Sequence, residues 1–225
     1  MKTSTGGPRW LYLHGFASSP DSAKARALAA HYAGLDIELE RLDLRRPSLE
    51  HLRLSAMIEH VRARIGGERE RVVVFGSSLG GLTACRVAEH DARVFALVLL
   101  APAFGLARAW RQRLGEAGWA VWRTRGWVET LDHKTGQMAP VDHGFVAELE
   151  RFDAGDGGFP DVRVPTLVVH GVHDDTVPVE RSRAFAAGKR HVKLVEVDDG
   201  HPLTASLPRI VALADAFLAP LLGAT

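Results

Sequence analysis

The sequence predicts an α/β protein with a mostly parallel, open sheet of about six strands and helices on both faces. Short runs rich in Val, Ile and Leu alternate with amphipathic stretches, the pattern of parallel strands joined by crossover helices. The 225 residues are 46% hydrophobic and 24% charged, which suffices for one substantial core. We therefore expect a single domain over residues 1–225.

Six stretches have the composition and length of buried strands. They are Arg9–Leu13, Asp36–Leu42, Arg71–Phe75, Val94–Leu100, Thr166–His170 and Val192–Val197. The helices predicted between and after them lie near Ser22–His31, Ser48–Ile65, Ser78–His90, Val179–Ala187 and Ser206–Leu218. The second helix has the clearest pattern, because its apolar residues recur at three- and four-residue steps until Gly66-Gly67 ends it.

Residues 104–160, called the insertion below, interrupt this alternation. The segment has several glycines, a turn-like stretch at residues 133–136 between two possible short strands, and a further predicted helix at residues 141–152. An insertion at this point would lie over the carboxyl edge of the sheet, where open α/β sheets bind ligands. We expect a small lid of helix and hairpin; the alternative is that its tryptophans only fill a satellite core. The tryptophans, which we take as substrate-pocket candidates, are Trp110, Trp119, Trp122 and Trp127.

Charge and composition argue against several classes of protein. The formal net charge of +1 gives no reason to expect nucleic acid or an anionic membrane surface as a partner. The single Cys85 excludes an internal disulfide and fits a reducing compartment. No secretion signal is visible, and the longest apolar run, Val94–Ala103, is about half of a membrane span. We expect a soluble, cytoplasmic protein.

The segment after the third predicted strand carries the first candidate for chemistry. Arg71–Phe75 leads directly into Gly76-Ser77-Ser78-Leu79-Gly80-Gly81 and then into a helix-forming stretch. In such a Gly-x-Ser-x-Gly nucleophile elbow, a serine on a sharp strand-to-helix turn needs small residues two positions to either side, so that neighbouring chain can pass close. Ser78, and not Ser77, has glycine at both offsets. Ser78 is therefore the candidate nucleophile.

A serine hydroxyl is a weak nucleophile that needs a base, and the base needs an orienting carboxylate. Asp174 comes after the strand predicted at residues 166–170, and His201 comes after the strand predicted at residues 192–197. Loops from the carboxyl edge of a parallel sheet converge on one crevice. We therefore predict a catalytic triad of Ser78, Asp174 and His201, with the adjacent Asp175 as the alternative acid.

Attack on an ester or amide carbonyl creates an oxyanion that needs preorganised donors. One is the N–H of Leu79, at the positive end of the predicted helix. The other should come from the loop after the first strand, where Gly15 lets the chain turn and Phe16 is the best candidate. His14 is expected to hold this loop, and His14 and Gly15 are also candidates for the wall of the substrate pocket.

Other interpretations of these residues are open. A zinc site from His170, His173 and Asp174 is conceivable, but His170 should end a buried strand and the spacing matches no common ligand pattern. The elbow glycines could form a phosphate-binding turn, although their pattern is neither the P-loop nor the dinucleotide motif. We expect no metal and no organic cofactor.

Four segments carry a resemblance to a known family. The run Leu-Tyr-Leu-His-Gly-Phe-Ala-Ser-Ser-Pro-Asp-Ser-Ala-Lys-Ala at residues 11–25, followed by the elbow, resembles the small bacterial α/β-hydrolases of the YqiA esterase type. The segments at residues 170–178 and 200–201 look like the acid and base segments of α/β-hydrolases generally. The resemblance covers roughly residues 9–103 and 162–225, and the insertion departs from the shortest members of the group.

This resemblance implies the α/β-hydrolase fold, the triad Ser78, Asp174 and His201, and an oxyanion hole at Phe16 and Leu79. We accordingly expect a serine hydrolase that cleaves carboxylic esters of small or medium acyl groups through an acyl-enzyme. Thioesters and small amides pass through the same intermediate, so a thioesterase or an amide or peptide hydrolase is an alternative, and a non-catalytic binding protein is a further one.

The arginines of the insertion suggest a weaker hypothesis, that the lid recognises a carboxylate or phosphate on the substrate. A solvated helix surface explains them more simply. They are Arg108, Arg111, Arg113, Arg123 and Arg125. The sequence does not distinguish a monomer from a homodimer.

Overall fold

The computed structural model describes residues 7–154 and 158–223, and its strands form one large sheet and one hairpin. The strands are β1 (Arg9–Leu13), β2 (Leu39–Leu42), β3 (Val72–Ser77), β4 (Val94–Leu100), β5 (Trp127–Asp132), β6 (Gln137–Asp142), β7 (Thr166–Gly171) and β8 (Val192–Val197). Six of them form a parallel sheet in the order β2-β1-β3-β4-β7-β8. The remaining two, β5 and β6, pair antiparallel within the insertion. The predicted open, parallel sheet of six strands is confirmed.

Helices cover both faces of the sheet. They are α1 (Ala23–Ala33), α2 (Leu54–Ile65), α3 (Leu79–Ala88), α4 (Leu106–Arg125), α5 (His143–Phe152), α6 (Val179–Ala186) and α7 (Leu207–Gly223). Strand β3 shows why both faces are apolar: Val72 and Val74 belong to the cluster that includes α2, α3 and α6, whereas Val73 and Phe75 belong to the cluster with α1 and α7. A strand buried on both sides reads as a continuous apolar run, as this one does.

Some predicted element boundaries are wrong. The second helix begins at Leu54 and not at Ser48, because Ser48 Oγ accepts a hydrogen bond from the N–H of His51 and closes a turn there. Leu49 lies in this turn and is buried in the same core as α2. Its burial explains why the apolar residues of this segment recur at helical spacing before the helix begins. Strand β2 begins at Leu39 and not at Asp36, whose φ of 57° places it in a turn.

The insertion contains α4, the β5–β6 hairpin and α5. Its residues 155–157 lie outside the described residues, as do residues 1–6, where a secretion signal would begin. Helix α4 is interrupted at Gly115, whose φ of 67° and ψ of 170° are not helical. Helix α5 is capped by Asp142, whose side chain accepts from the N–H of Phe145. Within residues 7–154 and 158–223, no helix is long and apolar enough to cross a membrane.

Candidate active site

Ser78 lies in the turn between β3 and α3, with φ of 53° and ψ of −117°. Residues other than glycine rarely adopt a positive φ, and strain of this kind concentrates at functional sites. Close contacts explain why glycine occupies the positions two residues before and two residues after Ser78. A Cβ on Gly76 would lie 2.6 Å from the carbonyl oxygen of Gly80, and a Cβ on Gly80 would lie 2.2 Å from that of Leu13. Only glycine fits at either position, and the turn presents Ser78 at the carboxyl edge of the sheet.

Ser78, His201 and Asp174 form a hydrogen-bonded row. His201 Nε2 lies 3.0 Å from Ser78 Oγ, and His201 Nδ1 lies 2.7 Å from Asp174 Oδ2. The three residues come from the ends of β3, β8 and β7, so segments distant in sequence meet at one edge of the sheet. If Nδ1 carries the proton toward Asp174, Nε2 is free to accept the proton of the Ser78 hydroxyl.

Asp174 is held from several sides. Its Oδ1 accepts from the N–H groups of Thr176 at 2.9 Å and Val177 at 2.7 Å, and its Oδ2 lies 3.1 Å from His170 Nε2. Burial by itself raises the pKa of Asp174, but the hydrogen bonds from His170, His201 and the Val177 N–H outweigh it. They hold the pKa well below its usual range. The carboxylate is therefore charged at neutral pH, as an orienting acid must be.

The neighbouring carboxylates are engaged elsewhere. Asp175, the alternative acid, is exposed and accepts from the hydroxyl of Thr176 at 3.1 Å. Asp198 lies 2.8 Å from His173 Nε2 at the surface. Asp199 accepts from two main-chain N–H groups of the turn that carries His201. Among these carboxylates, the geometry favours Asp174 as the partner of His201.

The zinc alternative has no support in the structure. Among the described residues, no group of three or more His, Cys, Asp or Glu side chains is arranged to hold a metal ion. His170 is fully buried, with Nδ1 2.7 Å from Ser182 Oγ and Nε2 2.9 Å from the carbonyl oxygen of Val177. His173 is exposed. The ring of His170 therefore supports the Asp174 loop.

The two predicted oxyanion donors belong to segments that adjoin Ser78. Leu79 is the first residue of α3, and the loop after β1 passes so close that a Cβ on Gly15 would lie 3.2 Å from Ser78 Cβ. Within the described part of the chain, neither the Leu79 N–H nor the Phe16 N–H donates to a backbone acceptor. Neither group is thus occupied by a backbone acceptor, and their role as an oxyanion hole stays a prediction.

A cavity of about 760 Å³ lies over Ser78 and His201. One wall comes from the insertion and is mainly apolar. Its residues are Leu106, Trp110, Arg113, Leu114, Trp122, Val128, Glu129, Thr130, Leu131, His133 and Met138. The other wall comes from the sheet edge and the loops beside it, and it is more polar. It includes Tyr12, Ser22, Lys24, Ser77, Thr176 and Thr204.

Three of the six pocket candidates line this cavity: Gly15, Trp110 and Trp122. The other three do not. Trp119 is only 4% exposed and packs against Trp122, with ring centroids 5.8 Å apart. Trp127 is 40% exposed on β5, outside the cavity. The insertion is therefore both a cavity wall and, through Trp119, part of the hydrophobic core.

His14 is buried and does not line the cavity, so its place among the pocket candidates is wrong. Its Nδ1 lies 2.8 Å from the carbonyl oxygen of Gly15, and its Nε2 lies 3.0 Å from the main-chain nitrogen of Leu44. This pattern fits a neutral ring that donates from Nδ1 and accepts at Nε2. Burial lowers the pKa of His14 and favours the neutral form. The ring holds the loop that carries Phe16.

The insertion arginines have different surroundings. Arg113 lines the cavity. Arg111 pairs with Glu116 at 2.8 Å on the surface, and the guanidinium of Arg125 lies 4.8 Å from the ring centroid of Trp127. A solvated surface accounts for Arg111, and of these three side chains Arg113 alone reaches the cavity.

Two aspartates anchor the hairpin to the rest of the molecule. Asp132, at the end of β5, pairs with Arg45 through two hydrogen bonds. Asp142, at the end of β6, pairs with Arg53 at 2.8 and 3.1 Å. The N–H of His133 also donates to the carbonyl oxygen of Ala17 at 2.9 Å, next to the Phe16 loop. The insertion is thus fixed over the sheet edge at both strands of its hairpin.

Comparisons with known proteins agree with this architecture. The model of UPF0227, an uncharacterised protein family, matches residues 9–217. No curated protein gives a significant match. Alpha/beta hydrolase domain-containing protein 10 from mouse is 21% identical with a TM-score of 0.79, over 98% of this chain and 92% of that one.

Two further structures are similar. Est1E from Butyrivibrio proteoclasticus is 20% identical with a TM-score of 0.72, over 98% of this chain and 90% of that one. A monoacylglycerol lipase from Paleococcus ferrophilus is 15% identical with a TM-score of 0.66, over 94% of this chain and 96% of that one. Likenesses at these identities show the fold. The α/β-hydrolase fold predicted from the sequence is confirmed.

Proposed function

We propose that this chain, which belongs to the uncharacterised protein family UPF0227 and has the α/β-hydrolase fold, is a serine hydrolase that cleaves carboxylic esters through an acyl-enzyme on Ser78. One observation carries the proposal: Ser78 Oγ, His201 and Asp174 lie in a row at 3.0 and 2.7 Å, on a strained turn below a cavity. A nucleophile, a base and an orienting acid in this order are what acyl transfer by serine needs.

In the proposed reaction, Ser78 Oγ attacks the ester carbonyl carbon while His201 Nε2 takes the hydroxyl proton. Asp174 stabilises the imidazolium that forms. The N–H groups of Phe16 and Leu79 donate to the carbonyl oxygen as it becomes an oxyanion. When the tetrahedral intermediate collapses, the C–O bond to the alcohol breaks, and His201 gives its proton to the departing oxygen.

Water completes the cycle. His201 takes a proton from a water molecule, whose oxygen attacks the acyl carbon of the acyl-enzyme. Collapse of the second intermediate returns the proton to Ser78 Oγ and releases the carboxylic acid. Each turnover therefore consumes one ester and one water, and Ser78, His201 and Asp174 return to their initial protonation states.

The cavity supports esters of small or medium acyl groups as the substrate class. About 760 Å³ holds a ligand of drug-like size, and the wall from the insertion offers hydrocarbon contacts to an acyl chain. One structural relative, Est1E, has been solved with ferulic acid bound, and another is named a monoacylglycerol lipase. These names belong to other proteins and support the class by analogy of fold.

A fluorophosphonate probe tests the nucleophile directly. The wild-type protein should form one covalent adduct, located at Ser78 by peptide mass spectrometry, because the probe reacts with an activated serine hydroxyl. Ser78→Ala should form none, and its kcat for 4-nitrophenyl butyrate should fall by roughly 10⁴-fold or more. Ser77→Ala is the matched control and should still be labelled. An adduct that persists in Ser78→Ala would rule out this nucleophile.

A further inference from the structure

We propose that Tyr12, Ser22 and Lys24, on the cavity wall opposite the insertion, form a subsite for a carboxylate carried by the substrate. The subsite depends on the proposed hydrolase activity and narrows its substrate class. The ester would have an apolar part against the insertion and a negatively charged group against this wall. All three residues line the same cavity as Ser78 and His201.

Tyr12 provides the first observation. Its side chain is fully buried and lines the cavity, and among the described residues its hydroxyl makes no well-formed hydrogen bond, only looser contacts with the hydroxyls of Ser22 and Ser77. A buried hydroxyl without a well-formed hydrogen bond is unfavourable for folding, and native proteins seldom keep one without a reason. Burial raises the pKa of Tyr12 to about 12, although weak hydrogen-bond contacts with the hydroxyls of Ser22 and Ser77 lower it in part. At neutral pH the hydroxyl is protonated and can donate to a ligand oxygen in place of these weak contacts.

Lys24 provides the positive charge. Its Nζ lies 3.4 Å from the carbonyl oxygen of His201, so the ammonium sits beside the loop of the proposed base. The carboxylates of Asp174 and Asp199, whose charges act on Lys24, already accept hydrogen bonds from other groups. Burial lowers the pKa of Lys24 to about 8, partly offset by these carboxylates, which leaves the ammonium largely charged at pH 7. An ammonium has three donors, and one weak contact leaves capacity for a ligand.

The start of α1 adds donors to the same wall. Ala23 and Lys24 are its first two residues, both line the cavity, and neither N–H donates to a backbone acceptor within the described part of the chain. Ser22 caps the helix by accepting from the N–H of Ala25 at 3.4 Å, and its hydroxyl proton can be directed either to Tyr12 or to a ligand. A helix N-terminus carries partial positive charge and favours anions.

The composition of the wall decides the ligand class. Tyr12, Ser22 and Lys24 offer an O–H, an O–H and an ammonium, all of them donors, and the acidic residue among the cavity lining, Glu129, belongs to the insertion wall. A carboxylate is an acceptor of several hydrogen bonds and is negatively charged. A neutral ester group offers one weaker acceptor and no charge. The wall should therefore discriminate between esters that differ only in that charge.

Two matched ester pairs test this discrimination. On the acyl side, mono-4-nitrophenyl adipate is compared with its methyl ester; on the alcohol side, 4-butyryloxybenzoate is compared with its methyl ester. The readout is the ratio of kcat/KM for the charged ester to that for the neutral one, in which losses common to both esters cancel. We expect the wild-type ratio to be tenfold or more in at least one pair. Lys24→Met should lower it by about 10- to 100-fold.

Tyr12→Phe separates a binding role from a structural one. Removal of the hydroxyl should lower the ratio by about fivefold, because one hydrogen bond to the carboxylate is lost. The free energy of unfolding in urea should change little, because that hydroxyl makes only weak contacts with Ser22 and Ser77. Arg113→Met, which removes a cation from the insertion wall, is the control and should keep the ratio within about twofold of wild type.

Two results would overturn the subsite while the hydrolase assignment stood. One is a wild-type ratio near one in both pairs, in a protein that the fluorophosphonate labels. The other is loss of discrimination in Arg113→Met but not in Lys24→Met. Binding to Ser78→Ala, measured by calorimetry, tests the subsite without turnover. The charged ester should bind at least tenfold more tightly than the neutral one, and this difference should vanish in Ser78→Ala/Lys24→Met.

Discussion

Asp174 at the sheet edge and Asp132 in the insertion make similar hydrogen bonds to the main chain but pair with different side chains. Each accepts from the main-chain N–H two residues later, at 2.9 Å, and each has a nitrogen-bearing side chain as its partner. The partner of Asp174 is His201, whose other nitrogen reaches Ser78. The partner of Asp132 is Arg45, which otherwise donates to the carbonyl oxygen of Ser18. The same local arrangement thus serves proposed chemistry in one region and anchoring in the other.

The replacement of each aspartate by asparagine separates these roles, and the largest effect is expected at Asp174. An asparagine side chain there would keep the shape but could not stabilise an imidazolium, and its amide would favour the wrong tautomer of His201. We expect kcat/KM for 4-nitrophenyl butyrate to fall by about 10⁴-fold in Asp174→Asn. Asp132→Asn should stay within about tenfold of wild type. If Asp174→Asn also stayed within tenfold, a different acid would have to orient His201, and Asp175 would be tested next.

Glycine-to-alanine substitutions compare the backbones of the two regions. In Gly80→Ala the new Cβ would lie 2.2 Å from the carbonyl oxygen of Leu13, so backbone must move, and we expect a loss of about 3 kcal/mol in the free energy of unfolding. Gly136, in the hairpin turn, has φ of +73° and open space around it. Gly136→Ala should lose about 1 kcal/mol, from backbone strain alone. Urea unfolding measures both, and equal losses would mean that the hairpin turn is as constrained as the elbow.

The same contrast explains how much of the structure can be predicted from the sequence. The positions of the elbow and of the strand ends follow from steric and topological rules that leave few alternatives. The pattern around Ser78 therefore predicts the edge of the sheet at which Asp174 and His201 lie close to Ser78. In the insertion, it is harder to predict whether a given side chain points to the cavity or to the core. Gly115 breaks α4, so helical spacing does not carry over from Trp110 to Trp119, and one ring lines the cavity while the other joins the core.

The polar wall shows a second limit of prediction from sequence. Lys24 and Tyr12 both lie within the motif at residues 11–25, yet nothing in their spacing reveals that they share a cavity with Ser78. That proximity arises because the loop of residues 14–22 between β1 and α1 returns the helix start to the sheet edge. A buried hydroxyl with only weak hydrogen-bond contacts, such as that of Tyr12, is likewise recognised only when its surroundings are known.

Acid titration sharpens the comparison for the insertion, where the expected effect is smaller than that of Gly80→Ala at the elbow. Hydrogen bonds, above all from Arg45, lower the pKa of Asp132 to about 2. Because this value lies below that of the unfolded chain, the unfolded state binds more protons between about pH 4 and pH 2, and stability falls as the pH falls through that window. Asp132→Asn should lose about 2 kcal/mol at pH 7, since charge-assisted hydrogen bonds are replaced by weaker ones.

The difference between wild type and Asp132→Asn should therefore shrink as the medium is acidified. Urea unfolding at pH 7, 5, 4 and 3 would follow it: we expect it to be constant from pH 7 to pH 5 and smaller at pH 3, where the unfolded carboxyl group is mostly protonated. Arg45→Met should give the same pH dependence, because the pair shares one interaction. A difference that did not change with pH would show that Asp132 holds the hairpin through its turn hydrogen bonds to Lys134 and Thr135 rather than through its charge.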